Sequence, residues 1–168
     1  PQLRESTVVF VPLSGRTVGD KRLVEDIVSC LEEHAECAHR LGFFIHTAAS
    51  DPDLEAMRYF VSAVKHFGCY VMVYDAGFSS RGVLSLKPIQ SAFLHLSSEL
   101  VQSMENNSVD YEIVLGLSRV ARTLGLCTVA GEAVTHAQRE VLANMGIDYT
   151  SGVLGAAAST LASSPQPA

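Results

Sequence analysis

The chain has 168 residues, a length that fits one domain, and 48% of them are hydrophobic, so a sizeable core can form. The net charge of -6 and the pI of about 5.4 disfavour nucleic acid or an anionic membrane surface as the main partner. No apolar run approaches the roughly 18 residues of a membrane span, so we expect no membrane contact by this segment and a cytoplasmic location.

Strand and helix patterns alternate along the chain. Apolar and β-branched runs predict strands, and apolar residues at helical spacing predict helices that begin near Asp20, Asp51, Asp110 and Thr135. This alternation predicts right-handed βαβ units and a parallel sheet. The predicted strands are 7–11, 41–47, 69–74, 92–96, 127–130 and 148–150, and the first of them is expected to be broken by Pro12.

This element order fits two architectures. One is an open doubly wound sheet, which length alone favours and which would make the chain a flavodoxin-like binding domain. The other is most of a (β/α)₈ barrel, which typically needs about 250 residues. In both, ligands and chemistry lie at the carboxyl ends of the strands.

Asp75 is the acidic residue that directly follows the apolar strand 69–74, so it is expected at such a strand end. The Gly/Ser loop after it could hold a phosphate with Arg81. His46 and His95 lie on strands near the same end, but no Cys, His or Asp partner stands at metal-ligand spacing from them.

The spacing of the cysteines indicates their redox state. Cys30, Cys37, Cys69 and Cys127 form no CxxC pair, which favours reduced thiols in a cytoplasmic protein.

The residues of the segment 156–168 are mostly small or polar and include proline. We therefore expect a domain over 1–155 and a flexible tail over 156–168.

Six segments between about residues 8 and 155 carry motif-like sequences. They are Val11–Asp20, Phe43–Thr47, Tyr74–Ser80, Phe93–Ser97, Leu124–Thr135 and Gly146–Gly155. In this order they are similar to VNLSGxxLxD, FEITE, DDFGxGFSS, YLKID, LGLxxVAEGVET and GxDYVQGYLFG of the EAL family, bacterial barrel domains that hydrolyse cyclic di-GMP. The resemblance implies an α/β fold: a partial TIM-like barrel of about six parallel βα units, without the family's first strands and name motif.

The departures from these motifs concern the family's metal site. The resemblance implies Mg²⁺ or Mn²⁺ held by oxygen ligands, which have to converge from several strands. At the family's functional positions this chain has Pro12, Phe44, Tyr74, His95, Ser97, Gly131, Val134 and Ser151. Asp75 keeps its place, and a shift of one residue could recruit Glu132. We therefore expect no metal, no other cofactor and no catalytic residue, with Asp75, Arg81 and Glu132 as candidate ligand-binding residues.

These substitutions lead to the prediction that the chain is not an enzyme. It would be a catalytically inactive EAL-like domain that acts as a protein-interaction or regulatory module in bacterial cyclic di-GMP signalling, with a protein partner or a homodimer. Phe44 and Tyr74 would fill the former ion pocket. The alternatives are a non-hydrolysing cyclic di-GMP receptor and a metal-dependent cyclic di-GMP phosphodiesterase completed by a preceding part of the protein.

Overall fold

The computed structural model of the protein describes residues 7–46, 54–74, 93–131, 135–152 and 156–160. The strands are β1 (Val9–Ser14), β2 (Leu41–His46), β3 (Tyr70–Tyr74), β4 (Phe93–Leu96), β5 (Cys127–Ala130), β6 (Tyr149–Gly152) and β7 (Ala156–Thr160). The helices are α1 (Gly15–Gly19), α2 (Lys21–Glu33), α3 (Ala35–Ala38), α4 (Leu54–His66), α5 (Ser98–Ser103), α6 (Ser108–Thr123) and α7 (His136–Asn144).

The chain divides into two compact units. Unit 1 contains β1 to β3 with α1 to α4, and β2 pairs in parallel with both β1 and β3. Unit 2 contains β4 to β7 with α5 to α7, where β5 pairs in parallel with both β4 and β6, and β7 pairs antiparallel with β6. Parallel strands joined by helices confirm the predicted α/β class.

Strand β1 differs from its predicted bounds. The prediction that Pro12 breaks the strand was wrong, because β1 continues to Ser14 and Pro12 is in register with Phe44 of β2. Proline has no N–H to donate to a ladder and is therefore tolerated on an edge strand. In the described part of unit 1, β1 pairs with β2, and no described strand on its other side requires an N–H from Pro12.

The core of unit 1 lies between helix α4 and one face of the sheet. The rings of Phe43 on β2 and Phe60 on α4 meet edge to face, with centroids 5.3 Å apart. Side chains alternate between the two faces of a strand, so Phe43 and Ile45 point to the same side while Phe44 and His46 point to the other. The buried members of this core include Phe43, Ile45, Met57, Phe60, Val61, Val64, Val71 and Val73.

Side-chain caps fix where several helices begin. Asp20 accepts a hydrogen bond from the Arg22 backbone N–H at 3.0 Å and starts α2, as predicted. Helix α6 begins two residues earlier than Asp110, at Ser108, because the Asn107 side chain accepts from the Val109 N–H at 3.0 Å.

The core of unit 2 combines apolar packing with buried hydrogen bonds. The Ser118 hydroxyl on α6 donates to the carbonyl of Met145 at 2.8 Å and joins α6 to the end of α7. Gly146 follows with φ +80°, a left-handed conformation suited to glycine, and its Cα faces the guanidinium of Arg122. Leu94, Val114, Leu142 and Ile147 are fully buried here.

Sequence patterns missed the short helices α1, α3 and α5 and the strand β7. Strand β7 lies inside the range predicted as a flexible tail, while 161–168 lie outside the described residues, so the domain boundary at 155 stays a prediction. Among the residues that the structure describes, none of the helices is both long and apolar enough to cross a membrane.

Candidate functional site at the carboxyl ends of the strands

The three strands of unit 1 end at one level. Ser14, His46 and Tyr74 are the last residues of β1, β2 and β3, and they occupy the same register row of the sheet. Parallel pairing therefore brings together three side chains that are separated by 32 and 28 positions in the sequence. This edge is where α/β folds bind ligands.

Three rings pack against one another at this edge, and we call Phe44, His46 and Tyr74 the aromatic cluster. The ring centroids of Phe44 and Tyr74 are 5.0 Å apart with planes inclined by 38°, and those of His46 and Tyr74 are 4.8 Å apart with planes inclined by 43°. All three side chains are half-buried. The contact between Phe44 and Tyr74 confirms that these two large residues share one location.

The hydroxyl of Ser14 lies beside this cluster and already serves the backbone. Its Oγ accepts from the Thr17 N–H at 3.2 Å and lies 3.0 Å from the Thr17 Oγ1, so Ser14 caps α1. The Ser14 side chain is nevertheless exposed. Its hydroxyl can exchange the capping bond for one to a ligand at a modest cost in helix stability.

The strand ends of unit 2 carry small residues tied to the backbone. Ser97 follows β4 and caps α5, accepting from the Leu100 N–H at 3.3 Å. Gly131 follows β5, and its N–H donates to the carbonyl of Leu96 at 3.0 Å. A Cβ on Gly131 would lie 2.6 Å from the Ser98 Oγ, so this close approach requires glycine.

Ser151 near the end of β6 is also engaged. Its hydroxyl donates to the carbonyl of Ala130 at 3.4 Å, a long bond that ties β6 to β5. The next helix, α7, begins with a reciprocal cap in which Thr135 and Gln138 each accept from the other's backbone N–H at 3.1 Å.

The opposite, amino-terminal ends of β5 and β6 are joined by a polar clamp, Thr128 with Asp148. The Asp148 Oδ2 accepts from the Thr128 N–H at 2.8 Å and from its hydroxyl at 2.9 Å, and the Asp148 N–H donates to the Thr128 Oγ1 at 3.1 Å. Burial, with the nearby Asp148 carboxylate, raises the pKa of the Cys127 thiol. Burial also raises the pKa of Tyr149. This clamp fixes strand register and lies at the end away from the candidate site.

The predicted ligand-binding residues Asp75, Arg81 and Glu132 lie outside the described residues. Of the other positions that the sequence singled out, Phe44 and Tyr74 come together in unit 1, and Ser97, Gly131 and Ser151 lie at strand ends of unit 2. The sequence did not predict His46 as a partner of Tyr74, although its position two residues after Phe44 puts it on the same face of β2.

A divalent metal ion does not fit the described residues. Mg²⁺ and Mn²⁺ require several converging oxygen ligands, mostly carboxylates. In the described ranges no group of three or more His, Cys, Asp or Glu side chains could hold a metal ion. The described strand ends of unit 1 offer a hydroxyl, an imidazole and aromatic rings instead, so we derive no metal-dependent step from them.

Comparison with known proteins identifies a family. A family model described as "EAL domain" matches residues 2–158. A curated relative, "Cyclic di-GMP phosphodiesterase PdeF" of Escherichia coli (strain K12), is 23% identical over 144 residues, which are 86% of this chain and 19% of the relative. The chain therefore spans about a fifth of that relative's length.

Solved structures agree in fold. The chain is similar to the structure described as "PaMucR Phosphodiesterase, c-di-GMP complex", with a TM-score of 0.76 and 23% identity over 86% of this chain and 59% of that one. The EAL domain of Xanthomonas citri FimX, in complex with c-diGMP, has a TM-score of 0.76 and 19% identity over 92% of this chain and 61% of that one. These similarities confirm the predicted fold class, a partial TIM-like barrel.

The same comparisons correct the prediction about activity. The prediction that the chain is not an enzyme was wrong, because the chain matches the EAL family over residues 2–158 and relatives that it matches are named as cyclic di-GMP phosphodiesterases. The prediction weighed single motif positions, whereas the family model matches residues 2–158 as a whole.

Proposed function

The chain belongs to the EAL domain family, and on this premise we propose that it binds cyclic di-GMP and takes part in its hydrolysis. The observation that carries this proposal is the family match over residues 2–158, a range that includes every strand from β1 to β6. The relative named as a cyclic di-GMP phosphodiesterase supports it over 144 aligned residues.

The geometry supports a ligand site at the carboxyl ends of the strands. In unit 1 the exposed hydroxyl of Ser14 and the imidazole of His46 stand in one register row. Both groups can donate hydrogen bonds to phosphate oxygens. The proposed ligand-binding residues Asp75, Arg81 and Glu132 follow strand ends in the sequence, and Arg81 would pair with a phosphate.

The proposed reaction is the addition of water to one phosphodiester. A bond forms between phosphorus and the water oxygen, and the bond between phosphorus and one ribose oxygen breaks. The ribose oxygen takes up a proton, and the product is the linear dinucleotide. Since the described residues do not fit a divalent metal ion, no step of this reaction is assigned to one.

Chromatography of cyclic di-GMP incubated with the intact protein tests the proposal. We expect the linear dinucleotide to accumulate, and we expect Asp75→Asn to slow its formation by roughly tenfold or more. The matched control is Asp26→Asn, which changes an exposed acid on α2. Absence of the linear dinucleotide with Mg²⁺ or Mn²⁺ present would contradict the proposed hydrolysis. Absence of cyclic di-GMP binding would contradict cyclic di-GMP as the ligand.

A further inference from the structure

The aromatic cluster is a ring surface at the ligand end of unit 1. Its central ring, Tyr74, lies 5.0 Å from Phe44 and 4.8 Å from His46, measured between ring centroids. The planes of Phe44 and His46 are inclined to that of Tyr74 by 38° and 43°. The three rings therefore form one contiguous group, with Tyr74 on β3 in contact with both rings of β2.

The aromatic cluster is distinct from the core of unit 1. The core uses the other face of the same strands, where Phe43, Ile45, Val71 and Val73 are at most 3% exposed. Side chains alternate along a strand, so the cluster occupies the face opposite helix α4. Its members are half-buried, unlike the core side chains on the opposite face.

The side chains of the aromatic cluster suit a flat aromatic ligand better than a metal ion. Ring faces offer no lone pairs to a divalent cation, which requires oxygen ligands. They do offer stacking, and nucleobases stack on Phe, Tyr and His side chains. The imidazole of His46 adds a ring nitrogen that can bond the edge of a stacked base.

We propose that the aromatic cluster binds one guanine base of cyclic di-GMP by stacking on Tyr74, with Phe44 supporting the ring and His46 contacting the base beside it. This inference rests on the proposed function, which supplies the ligand. The stacked base holds the ligand at the carboxyl end of unit 1, next to the Ser14 hydroxyl and the strand end that leads to Asp75. The cluster thereby positions the ligand for the reaction.

Calorimetric titration of the intact protein with cyclic di-GMP tests the inference, with the ligand's integrity checked by chromatography. Tyr74→Leu removes the ring and keeps an apolar side chain, and it should raise the Kd about tenfold, which corresponds to the loss of one stacked base. Tyr74→Phe keeps the ring and should restore the wild-type Kd within about twofold. Tyr59→Leu is the matched control, since Tyr59 on α4 is 54% exposed, and it should bind like wild type.

The outcomes separate the inference from the proposed function. A wild-type protein that binds no cyclic di-GMP overturns both. A wild-type protein that binds, with a Tyr74→Leu variant of unchanged Kd, overturns the stacking site alone. If Tyr74→Leu proves unstable in thermal unfolding, His46→Leu provides the second test, with a several-fold rise in Kd expected and an unchanged Kd counting against the site.

Discussion

The two units hold their parallel strands together in different ways. Unit 1 relies on apolar packing, in which the edge-to-face contact of Phe43 and Phe60 joins the sheet to α4. Unit 2 adds polar side chains between elements, namely the clamp of Thr128 with Asp148 and the hydrogen bond from Ser118 to the Met145 carbonyl. In unit 1 the strands end in the register row of Ser14, His46 and Tyr74, where His46 joins the aromatic cluster.

The polar side chains of the two units therefore serve different purposes: those of the clamp in unit 2 hold two strands together, and those at the strand ends of unit 1 can contact a ligand. In both units a one-residue shift of a strand would turn its buried apolar side chains to the other face, and in unit 2 the shift would also break buried hydrogen bonds. Unit 2 therefore fixes β5 against β6 by polar bonds at their amino ends. Unit 1 leaves its carboxyl ends to side chains that can meet a ligand.

The largest expected effect comes from the packing of unit 1. Phe60→Ala removes a fully buried ring and should lower the free energy of unfolding by about 3–5 kcal/mol, because it loses transfer energy and leaves a cavity. Urea unfolding measures this. Tyr59→Ala, next to it and 54% exposed, should cost no more than about 0.5 kcal/mol. Equal losses of unfolding free energy for the two variants would contradict the role of Phe60 in packing α4 against the sheet.

The clamp of unit 2 gives the next effect. Asp148→Ala leaves the buried Thr128 N–H and hydroxyl without their acceptor and should cost about 2–3 kcal/mol. Asp148→Asn keeps an oxygen acceptor and should cost less. Glu112→Ala, an exposed acid on α6, is the control. Hydrogen exchange sharpens the comparison: we expect Asp148→Ala to speed exchange mainly in β5 and β6, and Phe60→Ala mainly in β2 and β3.

The free energy of unfolding is expected to fall by about 2 kcal/mol at alkaline pH because of one thiol in unit 1. Burial, with a smaller contribution from Cys37, raises the pKa of the Cys69 thiol from 9.0 to about 11. The unfolded state loses this proton first, so the stability contribution is complete below about pH 9 and is lost as the pH rises to about 11. Stability measured over this range should fall more steeply for wild type than for Cys69→Ala. Cys30→Ala, an exposed thiol, should retain the wild-type slope.

The smallest effect is a gain in unit 2. Gly116 lies inside α6, and a Cβ added there meets nothing within 4 Å. Gly116→Ala should therefore stabilise the protein by about 0.5–1 kcal/mol, because alanine has the higher helix propensity. Gly146→Ala should do the opposite, since φ is +80° and the new Cβ would meet the Arg122 guanidinium. A thermal unfolding midpoint that falls for Gly116→Ala would show that this helix position is more crowded than it is in the structure.

The sequence by itself determined the alternation of strands and helices, the buried face of α4, several caps and the family. These follow from local signals: periodicity at 3.6 and 2 residues, Asp20 and Thr135 before apolar runs, and motifs in a fixed order. It failed at Pro12, where pairing with β2 carries the strand past a proline, and at α1 and α5, which are too short to show periodicity.

The tertiary structure alone decided which distant residues meet. His46 and Tyr74 are ordinary strand-end residues in the sequence, and they become neighbours only because β2 and β3 pair in a register that puts them in one row. Thr128 and Asp148 become a clamp for the same reason. Register is set by the packing of whole strands against helices, a sum over many long-range contacts that no local pattern in the chain encodes.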